Sequence, residues 1–108
     1  MSGDSEDWRV IPGWDRYEVS TLGRVRRAVS GKGAPKGRIL AGWVNQKGYP
    51  VVTLLGSGRQ SVQRIHVLVL NAFIGPCPSG MECLHQNDVK TDNRLGNLRW
   101  GTRLENKA

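Results

Sequence analysis

The chain has 108 residues, enough for one small domain with a modest core. With 14 Gly, 5 Pro and 38% apolar residues, the composition favours short elements joined by turns over long helices. No stretch approaches the roughly 18 uninterrupted apolar residues of a membrane span, and the amino terminus is acidic and unlike a signal peptide. We therefore expect a soluble cytoplasmic protein with no membrane partner.

The charge points to a polyanionic partner. The net charge is +7, from 16 Lys and Arg against 9 Asp and Glu, and three of those acids lie within the first seven residues. A small basic domain gains affinity for nucleic acid because each neutralised phosphate releases condensed counterions. A basic surface that only aids solubility is the alternative, and composition alone leaves both open.

The two cysteines, Cys77 and Cys83, do not form a zinc-ribbon pattern and are too few for a disulfide scaffold. A metal cluster of Cys77, Cys83 and His85 is conceivable. Two reduced thiols are the favoured interpretation.

The amino-terminal segment has the pattern of a small β element. Tyr17 and Val19 alternate with polar neighbours, and residues 21–23 can turn the chain into a second short strand. Four residues are expected to form a small core of their own: Trp8, Trp14, Tyr17 and Val25. Three arginines would then lie near one edge, available to phosphates: Arg24, Arg26 and Arg27.

The same segment carries a longer pattern. A Trp, an Ile-x-Gly and a Tyr-Glu-Val-Ser-x-Leu-Gly-Arg-Val-Arg run are matched by Trp8, Ile11, Gly13 and residues 17–26. In these residues the chain resembles the nuclease-associated modular domain of type four. The resemblance implies an accessory DNA-contacting element over residues 7–27; the alternative is that these residues only pack an amino-terminal sheet.

The middle of the chain alternates loops with regular elements. Residues 1–6 are predicted to be disordered and residues 28–37 to form a flexible basic loop. Residues 49–55 and 61–65 predict a hairpin closed by a turn at 56–58. Apolar residues at i, i+3, i+4, i+7 and i+8 then predict a helix with one buried face: Ile65, Leu68, Val69, Ala72 and Phe73. His66 is predicted to anchor this helix by a hydrogen bond to a loop.

The carboxyl-terminal stretch predicts a strand, a long turn, a return strand and a helix. Residues 81–85 and 98–100 suit short strands, and residues 86–97 are rich in turn formers. Thr102 followed by Glu105 is a capping box that begins a helix. The result is a ββα unit.

A ββα unit of this kind suits phosphodiester hydrolysis, which requires a base to take a proton from water and a cation to offset phosphate charge. His85 can act as that base, since histidine is largely neutral at physiological pH. Asn106 lies in the first helical turn, and an amide oxygen is a hard, neutral ligand for Mg²⁺. The helix amino terminus adds partial positive charge toward an anion.

These residues also match a known arrangement, in which a His ends the first strand, an Asn precedes Leu-x-Trp, and a second Asn follows Glu on a helix. His85, Asn97 and Asn106 occupy those positions. Here the chain resembles the HNH endonucleases of the ββα-metal superfamily, of the compact phage and homing type. With the amino-terminal match, the resemblance covers nearly the whole chain.

The resemblance implies an α+β fold: a small single-domain ββα-metal nuclease with short antiparallel strands, an amino-terminal β accessory element, and a nuclease domain over residues 38–108. It implies that His85 is the general base, that Asn97 braces the hairpin or orients His85, and that Asn106 binds Mg²⁺, Mn²⁺ or another divalent cation. The implied partner is double-stranded DNA in a bacterial or phage-infected cell, with a homodimer left open. Further candidate phosphate contacts are Lys90, Arg94, Arg99 and Arg103, for which a solvated surface charge is the alternative.

The sequence departs from this family pattern at one metal position. In many members the residue before the catalytic His is a metal-binding Asp or Asn, whereas this chain has Leu84. We expect the ion to be held by Asn106, water and substrate oxygens, with a neighbouring group such as Asp88. A DNA-binding module of the same fold with little activity is the second hypothesis, and a protein-interaction domain is the third.

Overall fold

The computed structural model describes residues 6–31, 33–56 and 58–102, which form eight short strands, one α-helix and one 3-10 turn. The strands are β1 (Trp8–Ile11), β2 (Trp14–Ser20), β3 (Val25–Arg27), β4 (Trp43–Val44), β5 (Pro50–Gly56), β6 (Arg59–Arg64), β7 (Glu82–His85) and β8 (Leu98–Gly101). The helix α1 spans Ile65–Phe73, and the 3-10 turn η1 spans Leu95–Asn97. No helix in these three ranges is long and apolar enough to cross a bilayer.

All strand pairs are antiparallel among the described residues. They form the sheets β1-β2-β3 and β4-β5-β6 and the hairpin β7-β8. The α+β class and the short antiparallel strands predicted from the sequence are confirmed. The central hairpin lies where the alternating pattern predicted it, and β1, β4 and η1 are additional elements.

Helix α1 begins directly after β6, because Arg64 keeps an extended backbone and the next residue is already helical. Ile65, Leu68 and Val69 are buried as the apolar spacing predicts, and Leu70 is fully buried as well. The helix therefore has protein on more than one side, which agrees with its nearly continuous apolar sequence.

One buried cluster joins the amino-terminal sheet to the rest of the molecule. Its members come from β1, β2, β3, β5, α1 and β8: Ile11, Trp14, Tyr17, Val19, Val25, Val52, Leu54, Ile65, Leu68, Val69, Leu70 and Leu98. Trp14, Tyr17 and Val25 are buried as the sequence predicts, but they belong to this shared cluster and Trp8 does not, so the prediction that the four form a core of their own is wrong. A three-stranded sheet this small can bury its apolar face only against another element, and here that element is α1.

Contacts outside the strands tie the segments together. The Tyr17 hydroxyl accepts a hydrogen bond from the backbone N–H of Leu55 at 3.2 Å, which links β2 to β5. Within the described part of the 28–37 loop, Gly31 and Ala34 exchange two backbone hydrogen bonds. Of the stretch predicted to be disordered, residues 1–5 lie outside the described residues, and Glu6 pairs with Arg24.

We predict that Tyr17→Phe lowers the free energy of unfolding by about 1 to 2 kcal/mol, since it leaves the Leu55 N–H without its acceptor at a site where Tyr17 is buried. Urea denaturation would measure this as a lower midpoint with an unchanged m-value. An unchanged midpoint would show that the bond between β2 and β5 does not contribute to stability.

Candidate active site

The β7-β8 hairpin presents the candidate catalytic histidine at the end of a strand. His85 lies opposite Leu98, and Cys83 lies opposite Trp100. Because side chains alternate along a strand, Cys83 and His85 share one face and Leu84 lies on the other. Leu84 is buried, with 4% of its surface exposed. An aliphatic side chain in that position cannot bind a metal ion.

Asn97 closes the segment that connects the two strands. Its Nδ2 donates to the Asn87 side chain and to the backbone oxygen of Asp92, both at 2.9 Å. Its Oδ1 accepts from the Asn87 N–H at 3.2 Å, and its backbone oxygen accepts from the Gln86 N–H at 2.8 Å. Asn97 therefore joins Gln86 and Asn87 at the start of the 86–97 loop to Asp92 in its middle.

Asp92 and Arg94 complete this loop network. Arg94 donates two hydrogen bonds of 2.7 Å to the Asp92 carboxylate, which also accepts from Asn87 Nδ2 at 2.8 Å. The hydrogen bonds from Arg94, followed by the bond from Asn87, hold the pKa of Asp92 well below its usual range. Asp92 is thus an ionised part of the loop scaffold.

His85 is oriented by Asn93. The two side chains are buried, and His85 Nε2 lies 2.7 Å from Asn93 Oδ1. An amide oxygen can only accept, so Nε2 carries the ring proton and donates it to this bond. The lone pair is then on Nδ1, which is the tautomer that a general base acting through Nδ1 requires.

Two further rings pack around His85. The His66 ring centroid lies 4.9 Å from that of His85, and the Tyr49 centroid lies 6.1 Å away in a stacked orientation. Tyr49 and His66 also contact each other, with centroids 4.8 Å apart. The residue just before β5, one residue of α1 and one of β7 therefore meet in one ring cluster formed by Tyr49, His66 and His85.

His66 is held neutral by its surroundings. It is 2% exposed, and its Nδ1 has no hydrogen-bond partner among the described residues. Burial, then the neighbouring His85 and Arg64, lower the pKa of His66 to about 3. The hydrogen bond from His66 to a loop that the sequence suggested is not seen at this nitrogen, and the ring packs against Tyr49 and His85 instead.

A small polar cavity opens beside His85. It has a volume of about 60 Å³ and is lined by Tyr49, Cys83, His85, Asp88 and Lys90. Asp88 is exposed and has a left-handed backbone, with φ of 61°, and its N–H donates to the His85 backbone oxygen at 3.0 Å. The turn therefore brings a carboxylate to the cavity that His85 lines.

Lys90 fixes the loop to the β4-β5 turn. Its Nζ donates to the Lys47 backbone oxygen at 2.7 Å and lies 4.9 Å from the centroid of the Tyr49 ring. A cation is thereby held at the same cavity, in a position that favours an anionic ligand.

The cavity beside His85 offers few groups that could bind a metal ion, and the Asp88 carboxylate among them is a hard oxygen ligand. Among residues 6–31, 33–56 and 58–102, no three His, Cys, Asp or Glu side chains come together as a metal site. Burial raises the pKa of the Cys83 thiol to about 12, so this side chain is a neutral thiol in the metal-free chain at neutral pH. One carboxylate supplemented by water and phosphate oxygens fits Mg²⁺ or Mn²⁺, which usually keep several waters.

The predicted phosphate contacts differ in their surroundings. Arg24 pairs with Glu6, Arg26 with Glu18 and Arg94 with Asp92. Arg27 donates to the Val29 backbone oxygen, and Arg99 is exposed on β8. Asn106 and Arg103 lie outside the described residues, as does the helix predicted to begin at Thr102.

Asn93 and Tyr49 were not selected from the sequence. Asn93 stands in a run of polar loop residues, and nothing in their order distinguishes an amide that contacts His85 from one that faces solvent. Tyr49 lies 36 positions before His85 and reaches it only through the tertiary fold. The only feature of the sequence that could have drawn attention to Tyr49 is that it is an aromatic residue in a predicted turn.

Comparison with known proteins gives matches to both halves of the chain. Residues 63–108 match the family model of HNH endonucleases, and residues 6–54 match the NUMOD4 motif. Two proteins of Acanthamoeba polyphaga mimivirus, both named as uncharacterized HNH endonucleases, are 31% and 33% identical over 86% and 98% of this chain. The chain spans about a quarter of the length of each of these relatives, 26% in both cases.

A solved structure has the same fold. It is the structure of DNA binding and cleavage by the HNH homing endonuclease I-HmuI. The match has a TM-score of 0.80 and 27% identity, and it covers 94% of this chain and 55% of the other.

The buried His66 predicts acid sensitivity. An unfolded histidine titrates near pH 6.5, whereas folded His66 stays neutral to about pH 3. Between these values the unfolded state binds the additional proton, so the free energy of unfolding falls as pH is lowered, by at most about 1.4 kcal/mol per pH unit. His66→Phe should flatten this dependence.

Urea denaturation of both proteins at several pH values between 4.5 and 7 would measure the effect. The titratable and charged groups near His66 include His85, Arg64, Tyr49 and Cys83, together with Glu82 and Cys77 in the cavity that His66 lines, and they are retained in the variant. Parallel pH dependences in the two proteins would refute the assignment of a neutral, buried His66.

Proposed function

We propose that this chain, which joins a NUMOD4 motif to an HNH endonuclease domain, hydrolyses phosphodiester bonds in double-stranded DNA with the help of Mg²⁺ or Mn²⁺. The observation that carries the proposal is the buried pair of His85 and Asn93, because it fixes an imidazole tautomer beside a cavity lined by Asp88 and Lys90. Attack of water on a phosphodiester requires an oriented base to take the proton, a ligand for the metal ion and positive charge near the phosphate, and His85, Asp88 and Lys90 would supply them.

His85 is the proposed general base. Its Nε2–H donates to Asn93, so Nδ1 is the nitrogen that takes the proton of the attacking water. The ring must keep its orientation while it gains charge. The contacts with His66 and Tyr49 restrict the ring, and the neutral state of His66 keeps a second positive charge away from the imidazolium that forms.

Asn97 is proposed to brace the catalytic loop. Its amide joins Asn87 and Asp92 across the 86–97 loop, which supports this role over direct orientation of His85. Because Asn93 lies within the same loop, any shift of the segment would move the acceptor of the His85 hydrogen bond. Asn97 thus acts on the base through the backbone that carries Asn93.

Asp88 is the proposed metal ligand within the described residues, and Asn106 is the second candidate. When bound, the ion would offset negative charge on the phosphate and on the leaving 3′ oxygen. Asp88 is exposed, so it keeps its carboxylate available, whereas Asp92 already binds Arg94 and Asn87. Lys90 would contact a phosphate oxygen at the same cavity.

Phosphate contacts away from the cavity are proposed for Arg24, Arg26, Arg27, Arg94, Arg99 and Arg103. The side chains of Arg24 and Arg26 are 51% and 32% exposed, and ion pairs near the surface are weak because water screens them, so a DNA phosphate can replace Glu6 or Glu18 as the partner of its arginine at small cost. Such contacts would give affinity that falls steeply with salt and carries no sequence specificity.

A DNA-binding module with weak activity is the second candidate function. Leu84 favours it, because this buried aliphatic residue occupies the position at which many HNH enzymes have a metal-binding Asp or Asn. Under that reading the chain would shift DNA on a gel without cutting it.

The first test is cleavage of supercoiled plasmid. Wild-type chain with Mg²⁺ should nick the plasmid, EDTA should abolish nicking, and His85→Ala should reduce the rate by at least about 100-fold, as for loss of a general base. Equal cutting by the variant would refute His85 as the base. Intact plasmid together with a gel shift by the wild type would favour the second candidate function.

Asp88→Asn tests the metal ligand without changing the turn, since Asn adopts a left-handed backbone as readily as Asp. The Mg²⁺ concentration for half-maximal nicking should rise about tenfold, because a neutral amide attracts the ion less strongly than a carboxylate. Asp15→Asn, which alters a carboxylate lining a different cavity, is the control. The proposal fails if both variants have the wild-type Mg²⁺ dependence.

A further inference from the structure

The turn between β2 and β3 lies against the 86–97 loop, which carries Asn93. The backbone oxygen of Thr21 accepts a hydrogen bond of 2.8 Å from the N–H of Leu95, the first residue of η1. This bond joins residues that are far apart in sequence, one within the NUMOD4 match and one within the HNH match. It fixes the loop two residues after Asn93.

Gly23 makes the closest approach in this contact. A Cβ atom at Gly23 would lie 2.8 Å from both Asn93 Cβ and the Asn93 backbone oxygen, which is closer than real Cβ contacts. Gly23 has φ of +83°, so it is also the residue that can form this turn without strain. The turn therefore presses backbone directly against the residue that orients His85.

The turn is itself rigid. Ser20 is fully buried, and its Oγ accepts from the N–H groups of Leu22 and Arg24, each at 3.2 Å. Its backbone N–H donates to the Arg24 oxygen at 2.9 Å, and Gly23 N–H donates to the Ser20 oxygen at 3.0 Å. Thr21 N–H donates to the Asp7 oxygen at 2.9 Å. Because these hydrogen bonds fix its backbone, the turn can hold the residues that it contacts in a constant position.

We propose that the β2-β3 turn positions the general base: Gly23 and Thr21 hold the backbone at Asn93 and Leu95, and Asn93 in turn holds His85. This inference rests on the proposed function of His85. Gly23 is a positioning residue, since it contacts neither substrate nor the reacting nitrogen. The amino-terminal segment then contributes to the catalytic step in addition to any contact with DNA.

The chain provides a matched control for the test. Gly13 lies in the preceding turn with φ of +82°, and a Cβ there would meet nothing within 4 Å. Gly13→Ala and Gly23→Ala therefore place an alanine at nearly the same positive φ, and only the Cβ at position 23 would meet Asn93. Any difference between the two variants reports on the contact and not on the loss of a glycine.

Single-turnover nicking at saturating Mg²⁺, with the concentration of chain varied, would separate the rate of the chemical step from DNA affinity. Gly23→Ala should slow the chemical step about 10- to 100-fold, the range expected when a catalytic group is misplaced by about 1 Å, with little change in DNA affinity. Gly13→Ala should retain the wild-type rate. Equal rates for the two variants would overturn the proposal.

A second measurement does not depend on activity. The chain has two histidines, so a proton NMR spectrum contains two ring Hε1 signals, which His66→Phe assigns. The His85 signal should shift in Gly23→Ala and keep its position in Gly13→Ala. If wild-type chain fails to cut DNA, the proposed function fails, while this comparison still decides whether the turn positions His85.

Misfolding is addressed by a second pair of variants. If circular dichroism shows that Gly23→Ala is unfolded, Gly23→Asn and Gly13→Asn replace the pair, because Asn tolerates positive φ better than Ala while it still adds a Cβ. A shifted His85 signal in Gly23→Asn alone supports the proposal. An unshifted signal in both overturns it.

Discussion

The packing of α1 against strands from both halves of the chain is the constraint on which the rest of the fold depends. The helix supplies Leu68, Val69 and Leu70 to a core that also contains residues of β1, β2, β3, β5 and β8. Neither the amino-terminal sheet nor the β7-β8 hairpin is large enough to bury its own apolar face. Each therefore gains its stability by packing on the helix, and their relative positions are fixed as a result.

The 86–97 loop has a different source of order. Residues 86–94 are mostly exposed and contribute little to the core, so polar contacts hold their backbone. Asn97 closes the loop from within, Lys90 ties it to the β4-β5 turn, and Thr21 binds it at Leu95. Each net hydrogen bond contributes only about 1 kcal/mol, so several are needed to fix the acceptor of the His85 bond.

The sequence predicted those features that depend on local pattern. Periodicity gave α1 and the β5-β6 hairpin, and both family resemblances are confirmed. His85 and Asn97 were selected by residue type and spacing, and their catalytic and bracing roles remain predictions. Tyr49, His66 and Gly23 act on the site through contacts between distant segments. Their positions in the sequence do not indicate those contacts, because the contacting residues come together only in the folded chain. The separate amino-terminal core was a wrong prediction for the same reason.

The contact between Gly23 and Asn93 also bears on how the proposed DNA binding and the proposed hydrolysis would be related. Arg24 lies at the end of the turn that contacts the 86–97 loop, and Arg26 follows it on β3. Each is paired with a glutamate that a phosphate could replace. A phosphate bound by Arg24 or Arg26 would contact the same short segment, residues 20–26, that holds Asn93 in place. Because this segment is internally bonded and has little freedom to deform, DNA engagement would hold the loop in its present position more firmly. Binding energy gained at the arginines could then be used to restrict the His85 ring, which is the way in which remote contacts raise the rate of a chemical step.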